Sequence, residues 1–170
     1  MPIDLRTDIL PLKNKLFRLA LRITLDRAEA EDVVQETIIK VWNRREEWNQ
    51  IENIEAFCLT VCRNLAVDKT RRQPFLSLDD ASPNSIPTPS LLTPHPEEQA
   101  VQRDRIRLVR RLIDSLPEKQ RSCMQLRDVE EKSYRDIAQI LGITEEQVKV
   151  NIFRARQAIR ERLQKMEGNN

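Results

Sequence analysis

The stretch Ser133-Tyr134-Arg135-Asp136-Ile137-Ala138-Gln139-Ile140-Leu141-Gly142-Ile143-Thr144-Glu145-Glu146-Gln147-Val148 decides the fold. Ser133 followed three residues on by Asp136 is a helix-capping pattern, and it opens a helix over Tyr134 to Leu141. Gly142 suits the left-handed cap that ends such a helix. Thr144 and Gln147 form a second capping box, which predicts a helix from about Glu145 to Leu163. The three-residue turn 142–144 has the length of a helix-turn-helix, in which the second helix suits the DNA major groove.

That second helix has two faces. At 3.6 residues per turn, Val148, Ile152, Ala155 and Ile159 form an apolar packing stripe. Glu146, Gln147, Val150, Phe153, Arg154 and Gln157 share the opposite face, with Lys149, Arg156 and Arg160 along one flank. Arg and Gln read base edges by paired hydrogen bonds, and Val and Phe lie against thymine methyl groups. The flanking cations suit phosphates, which position a helix without reading sequence. A charged face on a lone helix usually means solvation. A complete capped motif with apolar residues facing outward favours DNA.

Charge is unevenly distributed. The 170-residue chain has a net charge of only +2. Residues 103–170 carry sixteen Lys/Arg against eleven Asp/Glu, a net of +5, whereas residues 73–102 carry four acids and no Lys or Arg. The first 72 residues are nearly neutral, with thirteen basic and twelve acidic. The C-terminal piece therefore has the footprint of a phosphate binder. Two glycines and little alternating apolar pattern predict an all-α protein. No stretch is apolar and long enough to enter a bilayer and no signal-peptide pattern opens the chain, so a cytoplasmic protein is expected. Cys58, Cys62 and Cys123 read as reduced, buried thiols.

Six of the nine prolines fall within residues 73–96, interspersed with Ser, Thr, Asp and Asn. This composition predicts an extended tether between two small domains, residues 1–72 and 97–170. Fully extended, it reaches roughly 70 Å.

The N-terminal domain reads as four helices. Ile9 to about Leu25 supplies much of the core, and Asp26 caps a helix from about Ala28 to Arg44. Ala30, Val33, Val34, Thr37, Ile38 and Val41 face inward on it, while Asp32, Gln35, Glu36 and Ile39 share the outer face. An apolar Ile39 ringed by polar residues fits a protein-docking surface. After a polar stretch containing Trp48, Asn53 caps a helix to about Arg72. Phe57, Cys58, Val61, Cys62, Leu65 and Ala66 face the core on this helix, and Thr60, Arg63, Asn64, Val67 and Arg71 form an outward stripe.

These segments also resemble a known family. Asp32-Val33-Val34-Gln35-Glu36 with Val41-Trp42 resembles the second conserved region of bacterial sigma factors. The stretch from Ala56-Phe57 through Cys62-Arg63-Asn64-Leu65-Ala66-Val67-Asp68-Lys69-Thr70-Arg71-Arg72 resembles the helix that contacts the promoter −10 element. Leu116 to Arg121 and Ser133 to Ala138 resemble the start of the fourth region, and Phe153-Arg154-Ala155-Arg156 its recognition helix. The order and size are those of the extracytoplasmic-function (ECF) group, which keeps only the second and fourth regions. Phe57, where relatives usually carry Trp, and Val150, where many carry a small polar residue, depart from the pattern.

The resemblance implies an initiation factor that binds core RNA polymerase and directs it to promoter DNA. Asp32, Gln35, Glu36 and Ile39 match the surface that engages the polymerase clamp helices. Thr60, Arg63, Asn64, Asp68 and Arg71 fall on the −10 helix, preceded by the base-capturing loop from Glu47 through Trp48 to Asn53. Gln147, Lys149, Val150, Phe153, Arg154, Arg156 and Gln157 fall to the −35 element. An anti-sigma protein, often membrane-bound, is the further partner the resemblance implies. A response regulator would need an α/β phospho-acceptor domain, and the N-terminal half lacks its alternation of strands and helices. A one-component helix-turn-helix repressor acting without polymerase is the alternative that the residue pattern leaves open. No clustered ligands, phosphate-binding glycine loop or histidine other than His95 supports catalysis, so neither enzyme chemistry nor a cofactor or metal is expected.

Overall fold

A computed structural model describes residues 3–72 and 96–168, and among them every regular element is helical. The tether expected over residues 73–96 lies outside the described residues except at Pro96. That residue instead opens a helix, where a missing N–H costs nothing.

In the N-terminal half, two short turns, Leu5–Ile9 and Leu10–Leu12, lead into α1, Lys13–Thr24. The helix expected from Ile9 thus begins four residues later, because Pro11 lies in the tighter turn before it. Leu25 closes α1 in the left-handed region at φ 58°, with its N–H on the Leu21 carbonyl at 2.8 Å. Asp26 caps α2, Arg27–Asn43, by accepting from the Glu29 N–H at 3.1 Å. Four helices were expected here; among the described residues there are three α-helices, and the polar stretch around Trp48 forms a 3₁₀ turn, Arg45–Gln50. Asn53 then caps α3, Ile54–Arg72, accepting from the Ala56 N–H at 3.0 Å.

The C-terminal half contains α4, Pro96–Asp114, and α5, Glu118–Met124. The turn Gln125–Val129 connects α5 to α6, Tyr134–Leu141, and α7, Glu145–Gly168, follows. The caps are as the residues predict. Ser133 accepts from the Asp136 N–H at 3.0 Å, and Gly142 takes φ 68°. Thr144 and Gln147 cap each other reciprocally, at 3.0 and 3.1 Å.

Leu16, Leu19 and Ile23 of α1 pack with Val33 and Val41 of α2 and Leu59 and Cys62 of α3. Leu126, Ile137, Ile140, Val148 and Ile152 fill the interior of the C-terminal half. Burial of each larger side chain contributes roughly 1.5–3 kcal/mol. Leu59 is completely buried although it lies off the apolar stripe read from the sequence. The reason is that α3 is covered by α1 and α2 and also by α6. Phe57, Val61 and Leu65 are correspondingly only half-buried. Thr37 is accommodated inside by donating to the Val33 carbonyl at 2.6 Å. The three cysteines are free and buried, and burial pushes each thiol up to about 12.

The two halves are in contact. Helix α6 packs on α3, and α5 packs on α1. Arg18, Arg22 and Arg63 from the N-terminal half pair with Glu130, Asp114 and Glu118 from the other.

Candidate protein and nucleic-acid interfaces

Asp32, Gln35, Glu36 and Ile39 lie exposed along one side of α2. Ile39 is 58% exposed, far more than packing would leave a β-branched residue. Lys69, reaching from α3, stands 3.5 Å from Glu29, 3.9 Å from Asp32 and 3.6 Å from Glu36. It holds the acidic face together across two helices. The sequence pattern did not single out Lys69, because its partners sit on another element.

The segment from Glu47 to Asn53 has a structural interior. Trp48 is only 6% exposed, and its indole N–H donates to the Val41 carbonyl at 2.9 Å. Trp42 meets it edge-on, with ring centroids 6.0 Å apart. Glu47 pairs with Arg44 at 2.6 Å, and Asn53 is occupied in capping α3. The structure therefore places Trp48 in the core, where it props the loop and offers no ring to a ligand.

On α3, Asn64, Asp68 and Arg71 are exposed, while Thr60 and Arg63 are half-buried under the C-terminal half. Arg63 donates to Glu118 at 2.7 Å, and its Nε is buried with no partner. A cleft of about 660 Å³ lies here, with Gln50, Asn53 and Thr60 on one wall and Arg135, Asp136 and Gln139 of α6 on the other.

On α7 the predicted faces separate cleanly. Val148, Ile152 and Ala155 are buried, whereas Gln147, Lys149, Val150, Phe153, Arg154, Arg156 and Gln157 are exposed. Phe153 is 67% and Val150 43% exposed, which leaves an apolar strip between polar side chains. Lys149 and Arg127 flank the Tyr134 ring, at 5.6 and 4.4 Å from its centroid. Arg156 is held by Asp128 at 2.5 Å, a surface pair that a phosphate can displace.

The family models match both halves, the sigma-70 region 2 description at residues 9–74 and the sigma-70 region 4 description at residues 106–159. The ECF RNA polymerase sigma factor SigL of Mycobacterium tuberculosis is 34% identical over 152 residues, 89% of this chain and 84% of that protein. The chain belongs to the ECF sigma factors.

A Xanthomonas campestris sigma factor designated RfaY is 29% identical over 89% of this chain, and the match spans 38% of that longer protein. The fold matches that of the sigma factor RpoE from Bartonella quintana, solved in complex with the anti-sigma factor NepR. The TM-score is 0.74 at 22% identity, covering 95% of this chain and 97% of that one. Within this ECF factor, region 4 turns three carboxylates, Asp114, Glu118 and Glu130, toward region 2. The cations Lys149, Arg154 and Arg156 of its last helix, α7, face outward. No helix among the described residues is long and apolar enough to cross a membrane.

Proposed function

We propose that this ECF factor binds core RNA polymerase through the α2 face of Asp32, Gln35, Glu36 and Ile39 and directs it to promoter DNA. Residues 1–72 serve as the polymerase and −10 module, 73–96 as the tether, and 97–170 as the −35 module. The supporting observation is the exposed Ile39 within an acidic face, on the same chain as a fully capped helix-turn-helix with an open outer face. Asn64, Asp68 and Arg71 meet the −10 strand, with Thr60 and Arg63 beside them. Trp48 supports the loop from below. Extracting a base from the stack costs a few kcal/mol, and contacts made only with the extracted base offset that cost. On α7, Gln147, Arg154 and Gln157 read base edges, Val150 and Phe153 lie against methyl groups, and Lys149 and Arg156 meet the backbone.

The protein contributes binding and positioning, and the polymerase supplies the chemistry. It works in the cytoplasm, and an anti-sigma protein is its further partner. The test is run-off transcription with core polymerase and a library of genomic promoters. Discrete promoter-dependent transcripts support the reading. Operator binding without polymerase, and no transcripts with it, would instead describe a stand-alone repressor.

A further inference from the structure

Three carboxylates climb α2 about one turn at a time. Glu29, Asp32 and Glu36 stand at i, i+3 and i+7, so like charges neighbour each other along a single stripe. One cation lies among all three. The Lys69 ammonium, reaching over from α3, is 3.5 Å from Glu29, 3.9 Å from Asp32 and 3.6 Å from Glu36. Each separation is longer than a well-formed hydrogen bond. By contrast, Lys15 sits 2.6 Å from Glu55 and Arg22 sits 2.8 Å from Asp114. Lys69 is therefore shared among its partners and committed to none.

The direction in which Lys69 points matters as well. It opens the run Lys69-Thr70-Arg71-Arg72, whose composition suits phosphates. Asn64, Asp68 and Arg71 share an exposed side of α3, and Lys69 turns away from that side toward α2. A helix assigned to DNA thus lends one positive charge to the acidic face of its neighbour.

The three acids are not equivalent. The side chains of Asp32 and Glu36 are 63% and 49% exposed, on the same face as Ile39. That of Glu29 is 27% exposed and lies in the first turn of α2, where the helix dipole favours a carboxylate. A partner seated on Ile39 meets Asp32 and Glu36 and leaves Glu29 behind. Exposed acids around an apolar side chain call for a partner with cations around an apolar spot.

We propose that Lys69 is a built-in counter-ion that restrains the affinity of the α2 face for polymerase, and that Glu29 is the carboxylate it withdraws to when polymerase cations take Asp32 and Glu36. The inference rests on the assignment of that face to polymerase. In the free factor Lys69 offsets the repulsion among the three acids. During docking it competes with the incoming cations for the same two carboxylates, which weakens the attraction. Withdrawal needs little movement, because Glu29 is already the nearest of the three. Lys69 and Glu29 are positioning residues, acting on polymerase through Asp32 and Glu36.

The test measures binding of the full chain to core polymerase without promoter DNA, over a range of salt, beside thermal melting of each variant. Lys69→Met keeps the aliphatic stem and removes the charge. It should lower the melting temperature slightly, because the acids then repel one another. Affinity should nevertheless rise about threefold or more, through faster association with a steeper salt dependence. Lys69→Arg should behave as wild type. Glu29→Gln should weaken binding about threefold, since Lys69 is then left to Asp32 and Glu36. In the double variant Lys69→Met/Glu29→Gln the Glu29 effect should disappear, which independent structural damage at two sites does not produce. A purely structural lysine would lower melting temperature and affinity together, and that result overturns the proposal. Unchanged affinity in Lys69→Met, or additive losses in the double variant, overturns it equally. Ile39→Glu, which leaves Lys69 and its acids in place, checks the docking assignment separately. Undiminished binding by that variant would sink the assignment itself, whatever the charge variants show.

Discussion

At the scale of single residues, Gly142 and Ile39 show how differently two positions are constrained. Gly142 sits at φ 68° with open space where a Cβ would go. Gly142→Ala therefore meets no clash and costs only backbone strain, about 1 kcal/mol. A lowered melting temperature with retained helicity checks this. Ile39 supports no core, so Ile39→Glu should alter folding stability by under ~0.5 kcal/mol. Its effect belongs to docking, with polymerase affinity falling at least tenfold, about 1.4 kcal/mol. Binding measured beside thermal melting separates the two, and unchanged affinity in a folded mutant removes this surface from the account. Both residues were legible in the sequence, Gly142 from its place after a capped helix and Ile39 from its polar neighbours. Trp48 was not, because an aromatic in a polar loop looks the same whether it points outward or, as here, donates to a carbonyl beneath it.

Elements distribute roles that single residues share. On α7, Arg154 stands beside the exposed Val150 and Phe153, while Lys149 leans on Tyr134 at the flank. Arg154→Ala should relax base preference within the −35 element and cost ~1–3 kcal/mol. Lys149→Ala should weaken all sequences alike and flatten the salt dependence. A mutated promoter panel, assayed over a range of salt, distinguishes them, and equal losses across the panel would merge the two roles. The helical periodicity of α7 was enough to sort these faces because the helix packs on one side only. On α3 periodicity failed at Leu59, since contacts come from both its own half and α6.

Across the whole molecule, the contact between regions depends on charge and therefore on pH. Burial works to raise the Glu55 carboxyl, but hydrogen bonds from Lys132 and Lys15 outweigh it and hold the group below its ordinary value. A carboxyl depressed in the folded state contributes fully above its unfolded pKa and loses that contribution as the pH falls through the folded one. Acidification below about pH 4 should therefore loosen the Glu55 links. In an acid titration followed by thermal melting Glu55→Gln should shift the midpoint, whereas an identical titration of wild type and variant would assign the loss to other carboxylates.

The sequence by itself determined the all-helical class, the helix caps and the two faces of α7. It also determined the order of motifs that places the chain among ECF sigma factors. These depend on neighbours within about four residues, where spacing and side-chain chemistry are enough. Only the tertiary structure decided that Lys69 holds the acidic α2 face, that Trp48 is core, and that Arg63 answers to Glu118 rather than to solvent. Arg63 and Glu118 lie 55 positions apart, and ion pairs at such separations leave no periodicity to read. They form only when the packing of α6 on α3 and α5 on α1 brings opposite charges together.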